Sequence, residues 1–146
     1  MSAPLYTRAI LRLAASIPHL GRLEAAQARV ERRAPVCGSR VTVAVTLDEE
    51  GRVVALGQEV KACALGQASA ALMGRHVLGR TQGEIAAARD TLADFFAGRR
   101  EDPGDWPGIE ALAVARGYPA RHGAILLPFE AAAEAAALAD RPAAAA

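Results

Sequence analysis

Two stretches of strand-like residues, joined by a turn signal, constrain the fold of this chain most strongly. In residues 40–47 every second residue is a large apolar one, and residues 52–60 are rich in valine and leucine. A period of two places alternate side chains on opposite faces of a strand. The Asp-Glu-Glu-Gly sequence at 48–51 is typical of a turn. These patterns predict an antiparallel hairpin.

The rest of the pattern surrounds this hairpin with helices. A third strand is expected over residues 26–34. Apolar periodicity and capping signals predict helices over residues 3–15, 64–78 and 120–138, and another from the capping box at Thr81 to Gly98. Residues 99–107 form a polar loop, where we expect Trp106 to anchor the loop to the core. The fold class is therefore α+β, an antiparallel sheet of about three strands with helices packed on one face.

Size and composition indicate one globular domain. The chain has 146 residues, of which 52% are apolar and 23% charged, and we assign residues 1–140 to the domain and 141–146 to a disordered tail. A net charge of +1 gives no reason to expect binding to nucleic acid or to a membrane. No apolar run reaches the ~20 residues that cross a bilayer. Two cysteines do not make a disulfide framework, so a reducing cytoplasm is the expected location.

The two cysteines flank the hairpin. Cys37 precedes the first strand and is followed by Gly38, which allows the backbone to turn tightly beside the sulfur. Cys63 follows the second strand and precedes a helix, where the helix dipole and the nearby Lys61 favour a thiolate. Pairing of the strands brings both sulfurs to the same end of the sheet. From this pattern alone, buried structural cysteines and a metal or sulfur site are equally good interpretations.

Further motifs bear on the choice between structural cysteines and a metal or sulfur site. The segments concerned are Leu5-Tyr6, Pro18, Gly21, Cys37-Gly38, the run Cys-Ala-Leu-Gly-Gln-Ala-Ser-Ala-Ala-Leu-Met from Cys63, residues 92–98, residues 108–112 and Tyr118-Pro-Ala-Arg121. In this order the chain resembles the SufU/IscU/NifU N-terminal family of iron–sulfur cluster assembly scaffolds. The long segment between Cys63 and Pro119 is similar to the SufU branch.

The resemblance implies a metal or cluster site of three cysteines and one aspartate. The first two cysteines correspond to Cys37 and Cys63. Ser39 stands at the position of the aspartate, and the third cysteine is missing from the stretch Arg-His-Gly-Ala that begins at Arg121. His122 lies beside the missing position, and an imidazole is a suitable ligand for iron or zinc. The expected metal ligands are therefore Cys37, Cys63 and His122.

The function implied by the resemblance is iron–sulfur cluster assembly without catalysis. The chain would accept sulfur from a cysteine desulfurase, bind iron or a transient iron–sulfur cluster, and transfer it to recipient apo iron–sulfur proteins. Two chains could instead share a cluster as a homodimer. One alternative is a degenerate, non-catalytic adaptor of the desulfurase, since the aspartate and third cysteine are absent. Another is a zinc-binding sulfur acceptor.

Overall fold

The computed structural model describes residues 5–36 and 38–140. Cys37 and the tail assigned to residues 141–146 lie outside the described residues. The described residues form the helices α1 (Arg8–Ala14), α2 (Ala64–His76), α3 (Gln82–Phe96) and α4 (Pro119–Ala139), the strands β1 (Ala28–Arg33), β2 (Arg40–Leu47) and β3 (Val53–Lys61), and a 3₁₀ helix (Ile109–Ala115). The predicted α+β class is confirmed, and each predicted helix and strand is present. The strand over residues 40–47 has the predicted ends, and the ends of the others are shifted by a few residues. Residues 3 and 4 of the first predicted helix lie outside the described residues.

The strands of the described residues form one antiparallel sheet in the order β1-β2-β3. In β2 and β3, Val41 is paired with Val60 and Val45 with Leu56. The predicted turn is tight because Gly51 adopts a left-handed φ of 79°. A register shift between Thr46 and Leu47 ends the regular pairing there.

The helices cover the face of the sheet that carries the β2 valines. Helix α4 packs on β1 and β2 and also contacts α2 and α3, which makes it the central helix of the domain. Its buried residues include six alanines, at positions 124, 131, 132, 133, 135 and 136. Small side chains allow neighbouring elements to approach on all sides, so α4 is buried around most of its circumference. None of the described helices is long and apolar enough to cross a bilayer.

Trp106 anchors its loop, as the sequence predicts. Its indole is 5% exposed, donates a hydrogen bond to the carbonyl of Leu72 (2.7 Å), and meets the ring of Phe129 edge-on. The 3₁₀ helix that follows was not predicted. It begins after Gly108, whose φ is 81° and where a Cβ would lie 2.7 Å from a methyl of Leu72. Glycine is therefore needed at position 108, both because the φ is positive and because a Cβ would collide with Leu72.

Candidate functional site

The loop that carries Cys37 leaves the sheet at the same end as Cys63. Arg40, the first residue of β2, is paired with Lys61, the last residue of β3. The loop is closed by two backbone hydrogen bonds, in which the Ala34 N–H donates to the Ser39 carbonyl (2.9 Å) and the Gly38 N–H donates to the Ala34 carbonyl (3.0 Å). The hairpin on which the two-cysteine prediction rests is thus present. The position of the Cys37 sulfur lies outside the described residues.

Cys63 occupies the N-cap of α2. Its backbone is extended (φ −64°, ψ 170°), and its side chain caps no helix amide. The residue is half-buried and packs against the edge of the hydrophobic core. The Gln67 side chain fixes the preceding turn by donating to the Ala62 carbonyl (3.0 Å). Cys63 therefore sits at the positive end of the α2 dipole.

A third segment, the start of α4, meets the two cysteine-bearing segments through small residues. A Cβ at Gly66 would lie 3.2 Å from the Ala124 carbonyl oxygen, and a Cβ at Gly123 would lie 3.7 Å from the Ala34 Cβ. Pro128 lacks the N–H that would bond Ala124 within the helix. The first turns of α4 therefore lie in close contact both with the first turn of α2 and with Ala34, the residue that follows β1.

His122 lies in this first part of α4, and its imidazole is held by two contacts. The ring stacks on Phe96, with centroids 4.1 Å apart and planes 12° from parallel. Its Nε2 lies 2.7 Å from the Ala115 carbonyl oxygen. A carbonyl only accepts, so Nε2 carries a proton, and the lone pair of the neutral ring is on Nδ1. Metal-bound histidines commonly donate their other ring N–H to such a carbonyl.

The described residues do not by themselves assemble a complete metal site. Among residues 5–36 and 38–140, no group of three or more histidine, cysteine, aspartate or glutamate side chains is placed to hold one ion. Ser39, at the position of the aspartate in the resemblance, is 4% exposed and offers a hydroxyl instead of a carboxylate. Any complete ligand set here requires Cys37.

Sequence reasoning missed two features of this region. One is the contact of Gly66 with Ala124, for which the only sequence signal is the Gly and Ala content of both helix starts. The other is a row of cations, formed by Arg33, Arg40 and Lys61, across the end of the sheet. The sequence carries little signal for this row, because Lys61 lies just beyond the strand predicted over 52–60 and the three residues meet only in the observed register.

Comparison with known proteins agrees with the architecture. The chain matches the family model described as NifU-like N terminal domain over residues 5–112. It is similar to the crystal structure of a nitrogen-fixing NifU-like protein (N-terminal) from Brucella abortus, with 34% identity and a TM-score of 0.88 over 93% of this chain and 94% of that chain.

A second similar structure comes from the thermophile Fervidobacterium islandicum. It is described as an iron–sulfur cluster assembly scaffold protein for the SUF system, and it has 24% identity and a TM-score of 0.80 over 87% of this chain and 93% of that chain. At this identity the likeness shows the fold alone. No curated protein matches the chain in sequence.

Proposed function

We propose, from the premise that this chain belongs to the NifU-like N-terminal domain family, that it is an iron–sulfur cluster assembly scaffold and not an enzyme. It accepts sulfur, binds iron or a labile cluster, and passes this cargo to recipient apoproteins. The observation that carries the proposal is the convergence of three segments, those of Cys37, Cys63 and His122, at one end of the sheet. Residues 1–140 act as one domain in this function.

Sulfur acceptance follows from the placement of Cys63. The Cys63 thiolate attacks the outer sulfur of a persulfide carried by the donor, a cysteine desulfurase. A new S–S bond forms on Cys63, the S–S bond of the donor breaks, and the donor leaves as a thiolate. The N-cap position supports this step because the free amides of the first turn of α2 stabilise negative charge on the sulfur.

Binding of iron or of a cluster would use Cys37, Cys63 and the Nδ1 atom of His122. Two thiolates and an imidazole suit iron and iron–sulfur clusters, and they suit zinc as well. The hydrogen bond from Nε2 to the Ala115 carbonyl supports the histidine because it leaves the lone pair on Nδ1. Three protein ligands leave one position open, which suits cargo that must be released. Two chains sharing one cluster would fill that position with a ligand from the second chain.

A second candidate function is a non-catalytic adaptor that binds the desulfurase without building clusters. It is favoured by the serine at position 39 and by the engagement of His122 with Phe96 and Ala115. An adaptor would keep the fold and the donor-facing surface, and its cysteines would not retain iron.

Anaerobic reconstitution with ferrous iron and sulfide tests the proposal. We expect the wild-type chain to retain iron and sulfide after desalting and to absorb in the visible range. Cys37→Ser and Cys63→Ser should abolish this absorption, and His122→Asn should weaken iron retention. His19→Asn is the matched control, because His19 is exposed and has a φ of 58°, which asparagine tolerates well.

The outcomes separate the candidates. Wild-type protein that retains neither iron nor sulfide, yet binds the desulfurase, is an adaptor. Protein purified with one zinc per chain that iron does not displace is a zinc-binding sulfur acceptor. If His122→Asn retains as much iron as His19→Asn does, the histidine is not a ligand.

A further inference from the structure

The end of the sheet beside the cysteines carries a row of three cations. Arg33 of β1 is paired with Arg40 of β2, and Arg40 is paired with Lys61 of β3. Residues directly opposite one another in a sheet project from the same face. The row lies on the face opposite the buried Val41, and it is the last paired row before the Cys37 loop and the start of α2.

Nearby carboxylates balance this row only in part. The next row on the same face of the sheet consists of Glu31, Thr42 and Glu59. Glu31 lies 3.5 Å from the Arg33 guanidinium and 3.6 Å from that of Arg40. Glu59 is 4.0 Å from Arg29, a cation one row further from the cysteines.

Lys61 is the unbalanced member of the row. Within the described part of the chain, its ammonium has no carboxylate within 4 Å. The residue is exposed, and the shallow groove beside it is lined by side chains of both rows. The edge nearest the cysteines is therefore net positive.

Folding does not explain this arrangement. Like charges on directly opposite residues destabilise a sheet. Glu31 offsets the repulsion between Arg33 and Arg40, and the pair of Arg40 with Lys61 is offset less. All three side chains are at least partly exposed, so the charges remain available to a partner in solution. A row of cations that costs stability and lies at the end of the sheet beside the cysteines is best explained by binding to a partner.

We propose that Arg33, Arg40 and Lys61 form a docking surface for an acidic segment of the protein that donates sulfur. This inference rests on the proposed function. The donor is favoured over a recipient because its reacting sulfur must come into bonding distance of Cys63, two residues beyond the row. A positive row at this position attracts a carboxylate-bearing segment and orients it toward the thiol. Such attraction acts mainly on the association rate and is screened by salt.

Charge reversal at Lys61 tests the docking surface, because this residue loses no ion pair with any of the described residues. The probe is a purified cysteine desulfurase supplied with cysteine, and mass spectrometry follows persulfide formation on Cys63. We expect Lys61→Glu to lower the second-order rate about tenfold at low ionic strength, and the deficit to shrink strongly near 0.5 M salt.

Arg12→Glu is the control with the same change in charge. Arg12 is exposed and lies beside His76, the last residue of α2, whereas Lys61 lies just before the first. The 13 residues of α2 separate the two ends by about 20 Å. We expect Arg12→Glu to react within about twofold of the wild-type rate.

Several outcomes would overturn the docking proposal. One is an unchanged rate for Lys61→Glu, or a loss that is the same at every salt concentration. Another is an equal loss in reconstitution with inorganic sulfide, which would place the effect of Lys61 on the cysteine site itself. A defect confined to cluster transfer would assign the surface to recipients.

Binding of the desulfurase, measured by calorimetry, separates this proposal from the proposed function. If the chain retains no iron but Lys61→Glu still weakens binding in a salt-dependent way, the docking surface stands and the scaffold function fails. If clusters form normally and Lys61→Glu binds the desulfurase as tightly as wild type does, the scaffold function stands and the docking surface fails.

Discussion

Replacement of Gly66 by alanine tests the contact that joins α2 to α4 beside the candidate site. An added Cβ would lie 2.7 Å from the Ala62 Cβ, 3.2 Å from the Ala124 carbonyl oxygen and 3.5 Å from the Ala124 Cβ. The first distance is far below van der Waals contact, and an alanine Cβ moves only with its backbone. The start of α2 must therefore shift, either away from α4 or away from residue 62.

The expected loss of stability is the difference between two effects. Overpacking of a tight contact costs about 1–3 kcal/mol. Alanine at a helical position offsets up to about 1 kcal/mol relative to glycine. We expect a net destabilisation of about 1.5 kcal/mol, which lowers the melting temperature of a chain of this size by about 3–6 °C.

Urea unfolding followed by circular dichroism measures this loss. Gly83→Ala is the matched control, since Gly83 lies in the first turn of α3 and the nearest atom to its Cβ would be Thr81 Oγ1 at 3.9 Å. We expect this control to be as stable as the wild type or slightly more stable. If Gly66→Ala is as stable as the wild type, the close approach of α2 to α4 at Gly66 is not needed for stability.

Three further predictions concern the elements that support the site. Thr81→Ala removes the N-cap of α3, whose hydroxyl accepts from the Glu84 N–H at 3.2 Å, and should cost about 1 kcal/mol in urea unfolding; an unchanged midpoint would contradict the cap. The Thr81 backbone N–H donates to the Glu84 carboxylate and holds the pKa of that group below its ordinary value. The ionised Glu84 therefore stabilises the folded protein above its ordinary pKa, and this stabilisation is lost as the pH falls through the lowered pKa. The difference in melting temperature between wild type and Glu84→Gln should shrink in acid. A difference that stays constant with pH would refute the assignment. Trp106→Phe removes the indole N–H that donates to the Leu72 carbonyl and should cost about 1 kcal/mol; thermal unfolding at the wild-type temperature would show that the hydrogen bond contributes little.

The fold could be predicted from the sequence because its elements carry strong local signals. Residues 40–47 alternate over their full length, and the observed β2 has the same ends. The capping box at Thr81 is present in both of its halves. In contrast, the 3₁₀ helix Ile109–Ala115 is short and follows a glycine, and its conformation depends on packing against Leu72 more than on a local pattern.

The candidate site was less accessible to sequence reasoning. The predicted hairpin is observed, with Arg40 paired with Lys61 at the end of the sheet next to Cys63, whereas the place of the Cys37 sulfur stays a prediction. The orientation of His122 depends on Phe96 and Ala115, which are distant in sequence or belong to an unpredicted helix. The ligand roles of Cys37, Cys63 and His122 remain predictions.

Charge connects the proposed ligand set with the proposed docking surface. Ser39 is 4% exposed, and burial of a hydroxyl costs much less than burial of a carboxylate. In the proposed ligand set only the two cysteine thiolates would carry charge, which gives two negative charges on bound cargo, whereas three thiolates and a carboxylate would give four. Fewer anionic ligands hold iron cations less tightly, and the neighbouring row of cations favours the approach of an anionic donor. On these proposals, the site is better suited to receiving sulfur and releasing its cargo than to storing metal.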